Sequence, residues 1–571
     1  MQPSYEITIH DRAYNNWSFI RNNDGTMIEH PKLNPISNKL FSKDIFIYEA
    51  RTDEDLFAVI HSPIRTGISI PGILILENNK TYGRTISKKR LLYKCIPNDS
   101  HLPPFLVPYD IQLGFSKTYI NKYVLFKFDN WNETHPQGIL LETLGDVNVL
   151  NVYYEYQLYC KNIHSSITNF TNKTRQQINV MDDAIHTQIL NDPNFHVENR
   201  LFDKYIFTID PAGSTDFDDA FSFHHDINAP EKTHLSIYIA NVYVWLEKLG
   251  LWNFFSDRVS SIYLPDKKRT MLPPILSDSL CSLQAGEHRF AFVMDIQFNA
   301  TGEMVHTFKN AMIKVKQNYV YESDPLLANT RYKSLYEFTR KLNPDMKDSH
   351  DLVAYWMIHF NTECAKYMAN NRIGIQRVVE KTIGSFLPAS LSENHTTGKY
   401  VLFDSLNNSS VSPSSPNIVP YTHITSPIRR LADLLNQICM MTSLGLVHSI
   451  SSDCLYFMQN WMNKITVINE KMRATRKVQN TCELLYRCTT VPSIIDCKHT
   501  GILFDKKCKK SYTTVTGEGI NCFTYNVYLD DLKLISKFKT YTEYAEGDKY
   551  KFKLYVFHDE YKQKIRVQLS E

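Results

Sequence analysis

Residues 207–223 read FTIDPAGSTDFDDAFSF, and four aspartates, Asp210, Asp216, Asp218 and Asp219, fall within this one stretch. Few segments restrict a fold so strongly. Ile206 to Ile209 reads as a strand that ends at Asp210. Pro211, Ala212 and Gly213 then begin a turn that returns the later acids beside it. Carboxylates held this close repel one another, and each is costly in its charged form unless cations sit among them. Hard oxygen ligands favour magnesium or manganese. Two such ions about 3.5–4 Å apart can activate a water and stabilise the leaving oxygen of a phosphodiester. Taken alone, the segment also fits an acidic surface turn. A calcium loop is a further reading, although the glycine and closing glutamate of an EF-hand are absent.

A chain of 571 residues exceeds one ordinary core and implies several domains. Apolar residues at 43% and charged residues at 22% describe an ordinary globular chain. No apolar run reaches the roughly 20 residues of a membrane helix. The N-terminus lacks a basic segment followed by an apolar one, so no secretory signal is expected. The 11 cysteines show no CxxC spacing, which fits free thiols in a reducing, cytoplasmic compartment. Net charge is only +3, so any grip on nucleic acid must come from locally placed charge.

Residues 1–70 read as loop-rich. GILIL, YVLFKF and VNVLNVYY then read as the strands of a small barrel. Further on, LSIYIANVYVWL and RFAFVMDIQF read as strands, and Asp351 to Ala369 as a helix. FDSLNNSSVSPSSP, residues 403–416, is a Ser-rich loop. One long helix is expected from Asp453 to Cys488. Its buried stripe would be Met458, Trp461, Met462, Ile465, Ile468 and Met472, with basic residues on the rest. From His499 onward, 13 Lys plus Arg stand against 10 Asp plus Glu. There Lys549, Lys551 and Lys553 alternate with Tyr550, Phe552 and Leu554, and Ile565, Val567 and Leu569 share a face. That period puts lysines on one sheet face and apolar residues in the core. A small basic β barrel is the usual form of an OB-type binder of single strands; a β domain that merely caps the fold is the other reading.

Three long motifs occur in a recognisable order. The acidic segment comes first. Ser261-Ile-Tyr-Leu-Pro-Asp follows, continuing through Met271-Leu-Pro-Pro to Leu276-Ser-Asp-Ser-Leu-Cys-Ser-Leu283. Tyr421-Thr-His-Ile-Thr-Ser-Pro-Ile-Arg-Arg-Leu-Ala-Asp433 is the third. Together they resemble the catalytic, central and arginine motifs of the ribonuclease II (RNB) family. YGR, Pro97-Asn-Asp and Leu-Val-Pro-Tyr resemble the family's cold-shock barrel. The resemblance implies a multidomain α+β chain with a central RNB-type catalytic domain flanked by small OB-like β barrels. The expected divisions are an unassigned region at 1–70, a cold-shock-like OB barrel at 71–160 and a linker at 161–196. The catalytic domain would span 197–445, with its helical extension at 446–490 and an RNA-binding OB barrel at 491–571.

The resemblance also implies a hydrolytic, metal-dependent 3′-to-5′ exoribonuclease. It would degrade single-stranded RNA processively to 5′-nucleoside monophosphates. Asp210, Asp216, Asp218 and Asp219 would hold Mg2+, or Mn2+, with Asp218 central to catalysis. Arg429 would be the catalytic arginine, since a guanidinium can brace a phosphate through two hydrogen bonds. Arg430 would support the RNA backbone path with Tyr421, and Tyr263 would pack against the terminal nucleotide. Thr425 and Ser426 could cap the following helix, and their hydroxyls could also reach phosphate. Lys549, Lys551 and Lys553 would add phosphate contacts. A monomer that engages no membrane is expected, with its protein partners left open by the sequence, and the chain is too short for the extra N-terminal endonuclease domain of large eukaryotic relatives.

Departures from the family pattern are confined to a few places. Gln437 and Ile438 replace a His-Arg pair, and Leu431 replaces an aromatic. The Ser-rich loop replaces a His-Phe-Gly stretch, and Val478-Gln479-Asn480 stands where an arginine is usual. Two rival functions stay open: a silent RNA clamp, against which the four aspartates argue, and a DNA exonuclease, which only contact with a 2′-hydroxyl would separate.

Overall fold

A computed structural model describes residues 4–22, 25–28, 33–49, 56–85, 89–111, 119–182, 184–202, 204–225, 233–298, 303–379, 398–403, 419–512, 519–532, 534–559 and 562–569. The Ser-rich loop lies almost wholly outside the described residues, as do the side chains of Ile565, Val567 and Leu569. The chain forms two compact units, Met1–His164 with Asn480–Glu571, and Ser165–Gln479. Among the described residues no helix is long and apolar enough to cross a membrane.

Three five-stranded sheets in the first unit share one connectivity. Each places its strands in the spatial order third, second, first, fourth, fifth. Residues 1–70, expected to be loops, form the first of them, with strands Ser4–Ile9, Trp17–Arg21, Met27–Ile28, Ile45–Glu49 and Leu56–His61. The strands are short and far apart in sequence, which hides their alternation. Their core is aromatic and continuous with that of the next sheet: Phe41 stacks on Phe105 at 5.8 Å and lies 4.9 Å from Trp131.

The second sheet runs from Ile70–Leu74 to Gln137–Asp146 and closes into a barrel, because its fifth strand pairs in parallel with its third at Gln137 and Leu106. Among the described residues only this sheet closes. VNVLNVYY, expected as a strand, instead enters the helix Leu150–Cys160. Burial outweighs β propensity there: Tyr156 packs at 4.2 Å on Tyr123 of the barrel. The third sheet spans His499–Tyr512 to Lys562–Leu569. Its strand Lys549–Asp559 keeps the expected alternation, with Phe552 and Leu554 fully buried and Lys549 and Lys551 exposed.

The second unit is built on a seven-stranded mixed sheet. Its order is Val197–Arg200, Met304–Lys314, His288–Phe298, His234–Ala240, Asp219–His224, Phe207–Asp210 and Gln317–Val320. LSIYIANVYVWL divides into a strand ending at Ala240 and the helix Val242–Lys248. Asn241 makes that break, since its side chain accepts the Val244 N–H as a helix cap. The helix keeps its β-branched residues because Val242 to Leu246 are all buried. Helix Ser349–Asn371 forms where expected. The long basic helix is two helices, Ser452–Met462 and Ile465–Thr490, broken at Asn463 and Lys464. Within its expected stripe Trp461 and Ile468 are buried, while Met458, Met462, Ile465 and Met472 are half-buried.

Candidate active site

Strand pairing builds the acidic site. Phe207–Asp210 and Asp219–His224 are antiparallel neighbours in register at Phe207 and Phe221, so the end of one meets the start of the other. Gly213 takes a φ of +80° in the turn between them, a conformation that favours glycine. Asp210 and Asp219 sit at these strand ends, and Asp218 precedes Asp219 with only 2% of its surface exposed.

The three motifs converge on this point through hydrogen bonds. Ile428 donates its backbone N–H to Asp218 Oδ1 at 3.0 Å, and Arg429 Nε lies 3.0 Å from Asp218 Oδ2. Ser261 donates its N–H to the Arg429 carbonyl at 3.0 Å. Ser282 receives the Phe217 N–H and donates to the Thr215 carbonyl, tying the acidic turn to the second motif. All four aspartates line one cavity of about 640 Å³, together with Tyr263, Tyr421, Thr425, Ser426, Arg429 and Arg430.

Buried carboxylates resist ionisation. Burial pushes the Asp218 carboxyl up to about 7, with Arg429 opposing the shift. Burial also raises Asp210 and Asp219, which repel each other when both are charged. Asp210 Oδ2 is buried without a hydrogen-bond partner. Such a set fits a hard divalent cation, which would satisfy the orphaned oxygen and offset the charge. The aspartates are not closed to a tight ligand cage: among the described residues, the groups of three ligand atoms mutually within 4.8 Å lie elsewhere. Instead, side-chain cations hold two of the four. Arg429 takes Asp218, and Lys268 Nζ lies 3.0 Å from both Asp216 Oδ1 and Asp278 Oδ1.

Each remaining expected residue has a definite place. Tyr263 is 42% exposed, and its hydroxyl donates to Asp216 Oδ2 at 3.2 Å. Arg429 keeps a half-exposed guanidinium and donates from Nη2 to Ser426 Oγ. Arg430 turns to the fully buried Asp433, with Nη2 donating to Oδ1 at 2.8 Å. Thr425 and Ser426 do not cap the next helix, which is Leu431–Ser443 with Arg430 at its N-cap position. Both are buried, and the Ser426 N–H is taken by Asp433. The intervening Pro427 to Arg430 segment is too long for a cap, so the hydroxyls face the cavity network instead. Lys549, Lys551 and Lys553 belong to the other unit, where Lys551 Nζ donates to Thr500 Oγ1.

Two contributors were missed in the sequence. Lys268 falls between the segments that carry the second motif, where nothing in the spacing singles it out. Asn361 holds the third motif in place, accepting the Ile424 N–H and donating to the Tyr421 hydroxyl and Thr425 Oγ1. Its signal was legible: Val353, Met357 and Asn361 recur every four residues, a polar residue on an otherwise apolar face. Three of the departing residues, Gln437, Ile438 and Gln479, have definite places. Gln437 and Ile438 are fully buried, with Gln437 Nε2 donating to the Ala240 carbonyl, so they shape the core. Gln479 Oε1 accepts the Tyr263 N–H.

Known proteins bear on this geometry. A family model described as RNB domain matches residues 199–334, and one described as Dis3-like cold-shock domain 2 matches 92–158. Ribonuclease R of Chlamydia muridarum is 30% identical over 224 residues, covering 38% of this chain and 31% of that protein. DIS3-like exonuclease 2 of Xenopus tropicalis is 29% identical over 275 residues, covering 47% and 31%. The chain thus spans less than half the length of these curated relatives. The fold is similar to Mycoplasma genitalium RNase R bound to ribose-methylated single-stranded RNA, with a TM-score of 0.66 at 16% identity over 99% of this chain and 100% of that one. It is also similar to yeast Ssd1, a pseudonuclease, with a TM-score of 0.54 at 13% identity over 96% and 80%. The chain thus carries an RNB domain over residues 199–334, preceded in sequence by a Dis3-like cold-shock domain 2 over residues 92–158.

Proposed function

We propose that this chain is a metal-dependent 3′-to-5′ exoribonuclease that degrades single-stranded RNA processively to 5′-nucleoside monophosphates. The observation that carries the reading is the convergence of Asp210, Asp216, Asp218 and Asp219 with Arg429 in one cavity of the RNB-matched unit. The aspartates would hold magnesium or manganese, which when bound supplies a polarised water and neutralises charge at the phosphate. Arg429 is held at its Nε side by Asp218, which leaves its half-exposed guanidinium facing the cavity to brace a phosphoryl oxygen. Tyr263, fixed by Asp216 and Gln479, offers a ring for the terminal base to stack on. Among the described residues the cysteines form no disulfide, in keeping with a reducing, cytoplasmic setting, and we take the protein to act as a monomer.

A labelled oligoribonucleotide incubated with magnesium, followed by product sizing, tests this. Mononucleotides should accumulate while full-length substrate persists, and EDTA should stop the reaction. Undiminished hydrolysis after exhaustive chelation would remove the metal from the mechanism. Binding without any cleavage would favour a silent clamp, and equal cleavage of a DNA strand would remove the selectivity for RNA.

The C-terminal sheet should contribute phosphate contacts through Lys549, Lys551 and Lys553. Replacing all three with alanine should flatten the decline of RNA affinity with salt. The expected change in logarithmic slope is up to about 2, because each single-strand phosphate contact contributes about 0.7. Fluorescence anisotropy across a salt series reads it directly; an unchanged slope would leave the sheet a purely structural role.

A further inference from the structure

Outside the acidic cavity, a second cluster of side chains has the chemistry of a metal centre. His306 lies on the strand Met304–Lys314, while His359 and Glu363 lie one turn apart on the helix Ser349–Asn371. A spacing of four places both helix residues on one face. That face meets the strand: His306 Nε2 stands 2.8 Å from His359 Nε2, and His306 Nδ1 stands 3.8 Å from Glu363 Oε2. With one ligand atom from each residue, all three lie within 4.8 Å of one another. The three side chains are half-buried, so an ion can enter from solvent.

The local chemistry favours nitrogen-preferring metals. Two imidazole nitrogens this close share a single proton, and a cation could take that proton's place between them. In a tetrahedral zinc site with Zn–N bonds of 2.0–2.1 Å, two ligand nitrogens stand about 3.3 Å apart. The observed separation needs a shift of only about half an ångström to reach that. Burial disfavours the charged form of both rings, and the neutral imidazole is the form that ligates. Glu363 supplies a carboxylate whose other oxygen, Oε1, is held at 2.7 Å by Lys366, which fixes its orientation.

We propose that His306, His359 and Glu363 bind a zinc-type transition-metal ion that clamps the helix Ser349–Asn371 to the strand Met304–Lys314. Two imidazoles and one carboxylate suit zinc, whereas the all-oxygen aspartate set suits magnesium, so the two sites separate by metal preference. Three protein ligands leave a fourth position for water. The clamp acts behind the acidic cavity. Val353, Met357 and Asn361 of the same helix line that cavity, and Asn361 holds Tyr421 and Thr425. The zinc site stands whether or not the chain cleaves RNA, because none of its ligands belongs to the aspartate set.

The test uses the full chain, stripped with EDTA, dialysed, and titrated with zinc in excess magnesium against a chromophoric chelator. One zinc per chain should bind. His306→Gln and His359→Gln should each weaken it at least tenfold, a loss in line with removal of a ligand or its support. Asp218→Asn should leave zinc affinity unchanged, and zinc should raise the thermal midpoint of the parent but not of His359→Gln. Cobalt-loaded parent should give the intense visible absorption of a four-coordinate site, a readout that stands even where a histidine variant misfolds. Equal zinc affinity in parent and both histidine variants would overturn the proposal. So would a cobalt spectrum of the weak, octahedral, oxygen-ligated type.

Discussion

Asp218→Asn should abolish RNA cleavage while leaving RNA binding intact or tighter. Asp218 is the junction of two motifs that lie far apart in the sequence, since one oxygen receives the Ile428 N–H and the other meets Arg429. Asparagine keeps the shape and can still accept the Ile428 N–H. What it removes is the charge that would hold a cation and orient the arginine. The expected loss of turnover is on the order of a hundredfold or more, the scale seen when a preorganised electrostatic group is removed. Binding should not fall, because one negative charge facing the phosphates is gone. Single-turnover cleavage and anisotropy on the same preparation separate the two effects. Cleavage above a tenth of the parent rate would show that Asp218 is not a central ligand.

Much of the site was legible because the relevant residues lie in short, local runs. Strand, proline-glycine turn and returning acids all fall within residues 207–223, so local rules suffice to bring Asp210 and Asp219 together. The meeting of that run with Arg429 is different. It rests on the Ile428 N–H and the Arg429 ion pair at Asp218, contacts between distant segments that only motif resemblance could anticipate. Lys268 was invisible for the same reason, since a lysine two residues from an aspartate in a short hairpin reads as solvated. The barrel with its YVLFKF strand was readable from β-rich runs punctuated by proline and glycine. The sheet within residues 1–70 was not, because its strands of two to six residues carry too few alternations. The same holds for VNVLNVYY and NVYVWL. Their β-branched and aromatic residues signal strands, yet the chain turns helical at Leu150 and at Val242, where side chains such as Tyr153, Tyr154 and Trp245 are buried. Intrinsic preference is worth tenths of a kcal/mol per residue, roughly, whereas burying one large apolar side chain is worth about 1.5–3 kcal/mol.

The metal-free protein should become less stable as pH rises, and magnesium should reverse that loss only at high pH. Burial raises the Asp218 carboxyl from 3.8 to about 7 and raises Asp210 and Asp219 as well. A carboxyl whose folded pKa exceeds its unfolded one binds more protons folded than unfolded between those values. Stability then falls with rising pH across that window and levels off above it. Every tenfold difference in proton affinity between the folded and unfolded chain is worth about 1.4 kcal/mol, so Asp218 alone contributes on the order of a few kcal/mol. The buried histidines oppose this trend: burial lowers His359 and His423, which costs stability at low pH as they gain charge. The decisive quantity is therefore the difference between parent and Asp218→Asn, since both share those histidines. In EDTA, the thermal midpoint of the parent should fall relative to the variant between about pH 5 and pH 8, leaving the variant the more stable at the upper end. Magnesium should raise the parent near pH 8, where the carboxylates are charged, and do little near pH 5, where protons already hold them. Differential scanning fluorimetry of the two proteins, with EDTA and with magnesium, measures all four curves. Parallel profiles would mean that Asp218 is charged in the folded protein without a cation. Its ion pair with Arg429 would then outweigh burial, and the aspartates would not depend on metal for their charge.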